Sequence, residues 1–233
     1  MPTVLQPAPA TEPNGPLSDR TAAALRGFGP LGLLAVVVIL VSGTPLLGGP
    51  LVLLWAYLSR TPWSEIGLGR PVRWATTIVG GIVFGVAFKL VMKAVVMPLL
   101  GADPINHTYH YLAANRAAIP RTLFAVVFGA GFGEEMVFRG FGFERLRKLL
   151  GRSAAATVAI VLFTSALFAA AHYSDQGLPG VQQAAFTGLV FGTIYGITGR
   201  IWMVMVAHAA FDIAAVAIIY WNLESTVAHL LIR

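Results

Sequence analysis

Cysteine is absent from the 233 residues, which excludes disulfides and thiolate chemistry. Charge is almost as scarce: 11% of residues are charged against 57% hydrophobic, and the mean hydropathy is +0.75. That balance lies well outside the range of soluble globular domains. Several apolar runs approach the about 20 residues with which a helix crosses a ~30 Å hydrocarbon core. They are continuous and do not alternate, so of the two structures that satisfy their backbone in lipid, helices are expected over a closed barrel. A basic stripe with interleaved aromatics is also missing. The net charge of +6 comes from residues scattered between apolar segments, where membrane topology would put them. Nucleic-acid binding is excluded on that ground.

What is there predicts an all-α, polytopic transmembrane bundle of about seven or eight helices. Residues 1–20, with Pro2, Pro7, Pro9, Pro13 and Pro16, read as a disordered tail. They lack the basic start and apolar core of a cleavable signal, so the first span is expected to serve as the insertion signal. Residues 21–233 read as one transmembrane domain. Two helices, the first beginning near Thr21, are parted by breaks at Gly43-Thr44-Pro45 and Gly48-Gly49-Pro50. A third runs from Trp74 to about Leu100, with Lys89 and Lys93 on one face. A fourth starts after Pro120 and continues to Leu150, and a fifth covers Ser153–His172. Gly177-Leu178-Pro179-Gly180 leads into a sixth ending near Gly199, and a seventh spans Ile201 to Tyr220. The residues from Asn222 onward are weakly amphipathic and expected at the membrane surface. Arg60, Arg70 and Arg73, the cluster Arg145, Arg147, Lys148 and Arg152, and Arg200 fall on one side of these spans. The positive-inside rule makes that side cytoplasmic; the N-terminus joins it, and residues 101–118 face outward.

Against this background Glu134, Glu135 and Arg139 stand out, three charges inside an apolar run. An ionised side chain at the centre of a transmembrane helix costs about 2.5–3.5 kcal/mol on insertion scales. Glu135 and Arg139, four apart, can pair on one helix face, and a buried ion pair that fixes packing would account for those two. Glu134 points elsewhere and has no local cation. His172 ends the fifth span one turn after Phe168, where an interfacial or capping histidine is the commoner case. His208 and Asp212 share a face of the seventh span, as an oriented histidine or a proton relay would. Counted from the basic end, Glu134 lies roughly 15 Å deep and His208 roughly 12 Å. The four groups can therefore meet in one intramembrane pocket.

Such a pocket suits water activation and peptide-bond hydrolysis. An unpaired carboxylate acts as general base, a histidine helps polarise the water, and His208 with Asp212 faces the developing oxyanion. Glu134, His172 and His208 are also a zinc-ligand set with an open fourth position. The His-Glu-x-x-His signature is missing, as is a Gly-x-Ser-x-Gly elbow, and Ser165 reads as a packing residue. Gly129, Gly131 and Gly133 lack the ending of a phosphate loop and read as a close helix contact. His107 and His110 receive no role.

Glu134-Glu135-x-x-x-Arg139, Phe168-x-x-x-His172 and His208-x-x-x-Asp212 resemble the three motifs of the CPBP family, the CAAX prenyl endopeptidases and bacteriocin-processing or self-immunity (Abi) proteins. Ile66-Gly67-Leu68-Gly69-Arg70 is similar to a segment of many bacterial members. The resemblance covers about residues 30–220. It implies an intramembrane protease of about eight helices in a bacterial inner membrane, acting on peptide or lipidated protein substrates. It also implies that Glu134 and His172 activate water, that His208 and residue 212 stabilise the oxyanion, and that Glu135 and Arg139 support the site. A metal-independent mechanism is favoured, with zinc as the alternative. The third motif often carries Asn where this chain has Asp212, and a carboxylate donates poorly to an oxyanion. Outside the enzyme class, the same polar set is open to a transporter or an immunity scaffold.

Overall fold

Proline, glycine and polar breaks divide the apolar sequence into helices, and a computed structural model describes residues 17–41 and 45–231 of them. Among the described residues all regular structure is helical. Helix α1 (Leu17–Arg26) and α2 (Pro30–Val41) meet at a 60° bend. The tail up to residue 16 and the expected break at Gly43-Thr44 lie outside the described residues, while residues 17–20 belong to α1. Helix α3 (Pro45–Leu58) runs through Gly48-Gly49-Pro50, so these residues do not break it as the sequence led us to expect. Their smallness serves contact instead. A Cβ at Gly48 would stand 2.6 Å from Val137 Cγ2, and one at Gly49 would stand 2.4 Å from the Phe132 ring.

Helix α4 (Trp74–Val91) continues through a wide turn, Met92–Val96, as far as Leu99. Helix α5 (Ile119–Phe124) passes into two wide-turn stretches, Ala125–Glu134 and Met136–Phe141, and then into α6 (Gly142–Leu150). Residues 119–150 thus form one continuous rod. Wide turns of this i→i+5 kind frequently mark functional positions, and here the first one ends on Glu134. Helix α7 (Ala154–Ala171) is capped by Ser153, whose Oγ accepts from Ala156 N at 3.1 Å. Helix α8 (Tyr173–Thr198) is broken at Gly177, where φ is 59°, and stops at the left-handed Gly199. Helices α9 (Trp202–Tyr220) and α10 (Glu224–Ala228) complete the chain.

Three helices, Trp74–Leu99, Ala154–Ala171 and Trp202–Tyr220, are each long and apolar enough to cross a membrane, and the bent α1–α2 pair makes a fourth. The sequence reading had seven spans. The other three differ for physical reasons: α3 is only 14 residues long, the rod 119–150 carries its charges at mid-length and α8 has its polar residues at its start. Leu33, Val37, Val83, Leu162 and Phe163 are exposed on the outer surface. The protein is an integral, multi-pass membrane protein.

The two ends of the bundle separate as the loop charges led us to expect. At one end, Arg26 and Asp19 both bond Arg60, Ile201 N donates to Gly67 O at 3.1 Å, and Arg145 donates to Gly27 O at 3.2 Å. At the other, Ala114 N donates to Tyr220 O at 3.0 Å, and the buried Glu224 accepts from Asn106 N at 2.7 Å. The centre is held by α4 against α9. Gly81, Gly85 and Lys89 line up on the buried face of α4, and a Cβ at Gly85 would lie 2.1 Å from Ala207 O. Small residues allow such approach between membrane helices. Gly85→Ala is therefore expected to lower the thermal midpoint in detergent, on an overpacking cost of about 1–3 kcal/mol. Gly80→Ala, which meets nothing within 4 Å, serves as the unaffected control.

Candidate active site

The rod 119–150 brings Glu134 and Glu135 to different neighbours. Glu135 is fully buried, and its Oε1 accepts from Arg139 Nη1 at 2.9 Å, the pair expected from their spacing. The same oxygen accepts from His208 Nδ1 at 2.7 Å. Arg139 also donates to Gly188 O at 3.4 Å and lies 4.7 Å over the Phe168 ring. One guanidinium thus ties the rod to α7 and α8. The sequence placed Asp212 as the partner that orients His208, and the structure corrects this. Asp212 Oδ2 is 3.7 Å from His208 Nε2, beyond hydrogen-bond length. Glu135 reaches Nδ1 from the facing rod and fixes the ring.

Glu134 points into a cavity of about 780 Å³ that is also lined by Phe168, His172, His208 and Asp212. The residues singled out in the sequence therefore meet around one space, with Glu135 and Arg139 behind it. Glu134 Oε2 is buried without a hydrogen-bond partner and stands 3.8 Å from His208 Nε2. His172 lies at the end of α7, where its Nδ1 donates to Phe168 O at 2.8 Å. A carbonyl only accepts, so that bond leaves Nε2 of a neutral His172 with its lone pair. Phe168 supplies both this carbonyl and the ring beneath Arg139.

Several cavity residues had no signal in the sequence. Lys89 donates to Gln183 Oε1 at 2.8 Å, and Gln176 donates to the Tyr109 hydroxyl at 3.3 Å. Burial pushes the Tyr109 phenol up to about 12, so it keeps its proton and can donate into the cavity. A second space of about 290 Å³ shares Lys89, Asn106, Gln176 and Gln183 with the first. These side chains come from α4, the loop 101–118 and α8, which no motif spacing connects to the carboxylates.

Among the described residues, no three His, Asp or Glu side chains are arranged to hold a metal ion. Glu134, His172 and His208 have the chemistry of zinc ligands, and the bonds of both Nδ1 atoms to Phe168 O and Glu135 leave each Nε2 facing the cavity, as a metal-ligating histidine would have it. They would hold zinc only by drawing closer together, and no step below passes through a metal. Gly131 approaches α9 closely enough that its Cβ would stand 2.8 Å from Ala209 Cβ, in keeping with a packing role. A Cβ on Gly188 would stand 3.0 Å from Ser165 Cβ, which likewise places Ser165 in a helix contact. In the outer loop, His107 meets Asp103 at 3.0 Å and His110 meets Glu224 at 3.0 Å.

Residues 116–214 match the family model of the type II CAAX prenyl endopeptidases of Rce1-like kind. No curated protein and no solved structure matches the chain. The matched stretch opens just before α5 and closes in α9 beyond Asp212, so it contains all three motifs. Residues 116–214 are accordingly similar to the domain of the Rce1-like type II CAAX prenyl endopeptidases, a family of peptidases.

Proposed function

We propose that this protein is an intramembrane endopeptidase in which Glu134 and His172 activate a water molecule and His208 faces the oxyanion. The observation that carries this reading is the buried, partnerless Glu134 oxygen, in one cavity with His172. A water between them gives its proton to the Glu134 carboxylate as its oxygen bonds the scissile carbonyl carbon. The carbonyl π pair moves onto oxygen, and the Nε2 proton of a His208 imidazolium, whose Nδ1 proton is held by Glu135, donates to it. Collapse of the tetrahedral species breaks the C–N bond, and Glu134 returns the proton to the leaving amine. Glu135 and Arg139 keep the His208 ring aimed. Substrates are membrane-associated peptide segments, of the prenylated CAAX class that the family description names or bacteriocin-like. The basic end of the bundle, with the N-terminus, is cytoplasmic in a bacterial inner membrane.

The test compares new protein termini in cells that make the wild type or Glu134→Ala at equal abundance. Termini on membrane-associated proteins that require Glu134 are expected. Matching terminus profiles would overturn the proteolytic reading and favour a transporter or scaffold. Activity of purified protein should survive a chelator; loss that zinc alone restores would put a metal in the mechanism.

A further inference from the structure

Lys89 is a buried cation that the mechanism above leaves without a task. It sits at 6% exposure on the α4 face that also carries Gly81 and Gly85. Those glycines bring α4 against α9, and Lys89 reaches past them into the catalytic cavity. Its Nζ donates to Gln183 Oε1 at 2.8 Å and lies 4.7 Å over the ring of Phe211, the residue next to Asp212. An ammonium has three donors, and Gln183 takes one. Lys89 and Asp212 line that cavity together, one from α4 and the other from α9.

The charges of the site explain why this cation is there. Glu135 is answered by Arg139 at 2.9 Å. Glu134 and Asp212 flank His208 Nε2 at 3.8 Å and 3.7 Å, and a single imidazolium answers only one of them. A second carboxylate facing the same intramembrane cavity needs its own cation. We propose that Lys89 is the counter-ion of Asp212 and holds that carboxylate in place beside His208 Nε2, so that His208 keeps the Nε2 proton it presents to the reacting oxygen. Lys89 is then a positioning residue, and Asp212 is not itself a donor to the oxyanion. The inference rests on the peptidase reading.

A double-mutant cycle with Lys89→Met and Asp212→Asn tests it by two readouts. In detergent, each single variant should lower the thermal midpoint by several degrees, because each leaves one charge buried alone. The double variant should recover most of that loss. In cells, Lys89→Met should reduce Glu134-dependent termini at least ten-fold, and adding Asp212→Asn should restore them several-fold. Additive losses in both readouts would overturn the pairing. Coupling in the midpoint without coupling in the termini would reduce the pair to a structural one and overturn the positioning role. If the wild type yields no Glu134-dependent termini, the peptidase reading falls and the positioning role with it, while the midpoint cycle still decides the pairing. Lys89→Gln stands in if Lys89→Met does not fold.

Discussion

Glu134→Gln will cost purified protein two to four orders of magnitude in kcat, the range typical of a lost general base, and will leave the thermal midpoint unchanged or raised. Both halves follow from the same geometry. Glu134 Oε2 is buried with no hydrogen-bond partner, so the fold gains no bond from it. Its nearest charged neighbour is His208 Nε2 at 3.8 Å, and the opposing Asp212 and Glu135 carboxylates lie in the same site. A neutral amide of the same shape removes repulsion and desolvation while keeping the packing. What it cannot do is accept a proton from water. Residues kept at a cost to stability for the sake of chemistry behave in this way. Single-turnover cleavage and thermal unfolding on one preparation check the two halves. A variant that is both inactive and several degrees less stable would recast Glu134 as a structural residue.

The three motifs were legible because charge is expensive in lipid. Glu134, Glu135, Arg139 and Asp212 interrupt apolar runs, and nothing but a common site justifies several such interruptions at similar depth. The Glu135–Arg139 pair was legible too, since helix geometry relates residues four apart. The Glu135–His208 bond was not. It joins residues 73 apart in sequence, and no period connects facing helices. Lys89 and Lys93 were placed on one face. Both line the smaller cavity, and Lys89 also enters the main one, while Lys93 bonds Pro104 O and meets Glu224 at 3.9 Å. The wide turn at Met92–Val96 follows Lys89 and contains Lys93, and hydrophobic periodicity does not signal such turns. Pro50 misled for a related reason. A proline forgoes a helix bond, yet α3 continues because contact with Val137 and Phe132 holds it against the rod. Tertiary packing decided there what local propensity could not.

Arg139→Met is expected to be the most destabilising single change in the site, by about 3–5 kcal/mol, the cost of breaking a buried pair from one side. Arg139 is 1% exposed and Glu135 is 0% exposed. Removing the guanidinium takes one of the two donors from Glu135 Oε1 and leaves His208 Nδ1 as the other. The Gly188 carbonyl loses its contact from the rod, and the Phe168 ring loses a cation at 4.7 Å, an interaction worth about 2 kcal/mol when desolvated. Three elements are loosened at once, because Arg139 is where the rod touches both α7 and α8. Arg139→Lys should recover little of this, since a point charge cannot serve a carboxylate, a carbonyl and a ring face from one position. Arg139→Met with Glu135→Gln should recover more, because it removes the orphaned charge as well as its partner. Detergent-phase thermal unfolding of the four proteins distinguishes these cases. A double variant no more stable than Arg139→Met would mean that the guanidinium acts through packing and not through charge. His208 is aimed by the same carboxylate, so a protein that still folds with Arg139 replaced should bind substrate normally and turn it over slowly.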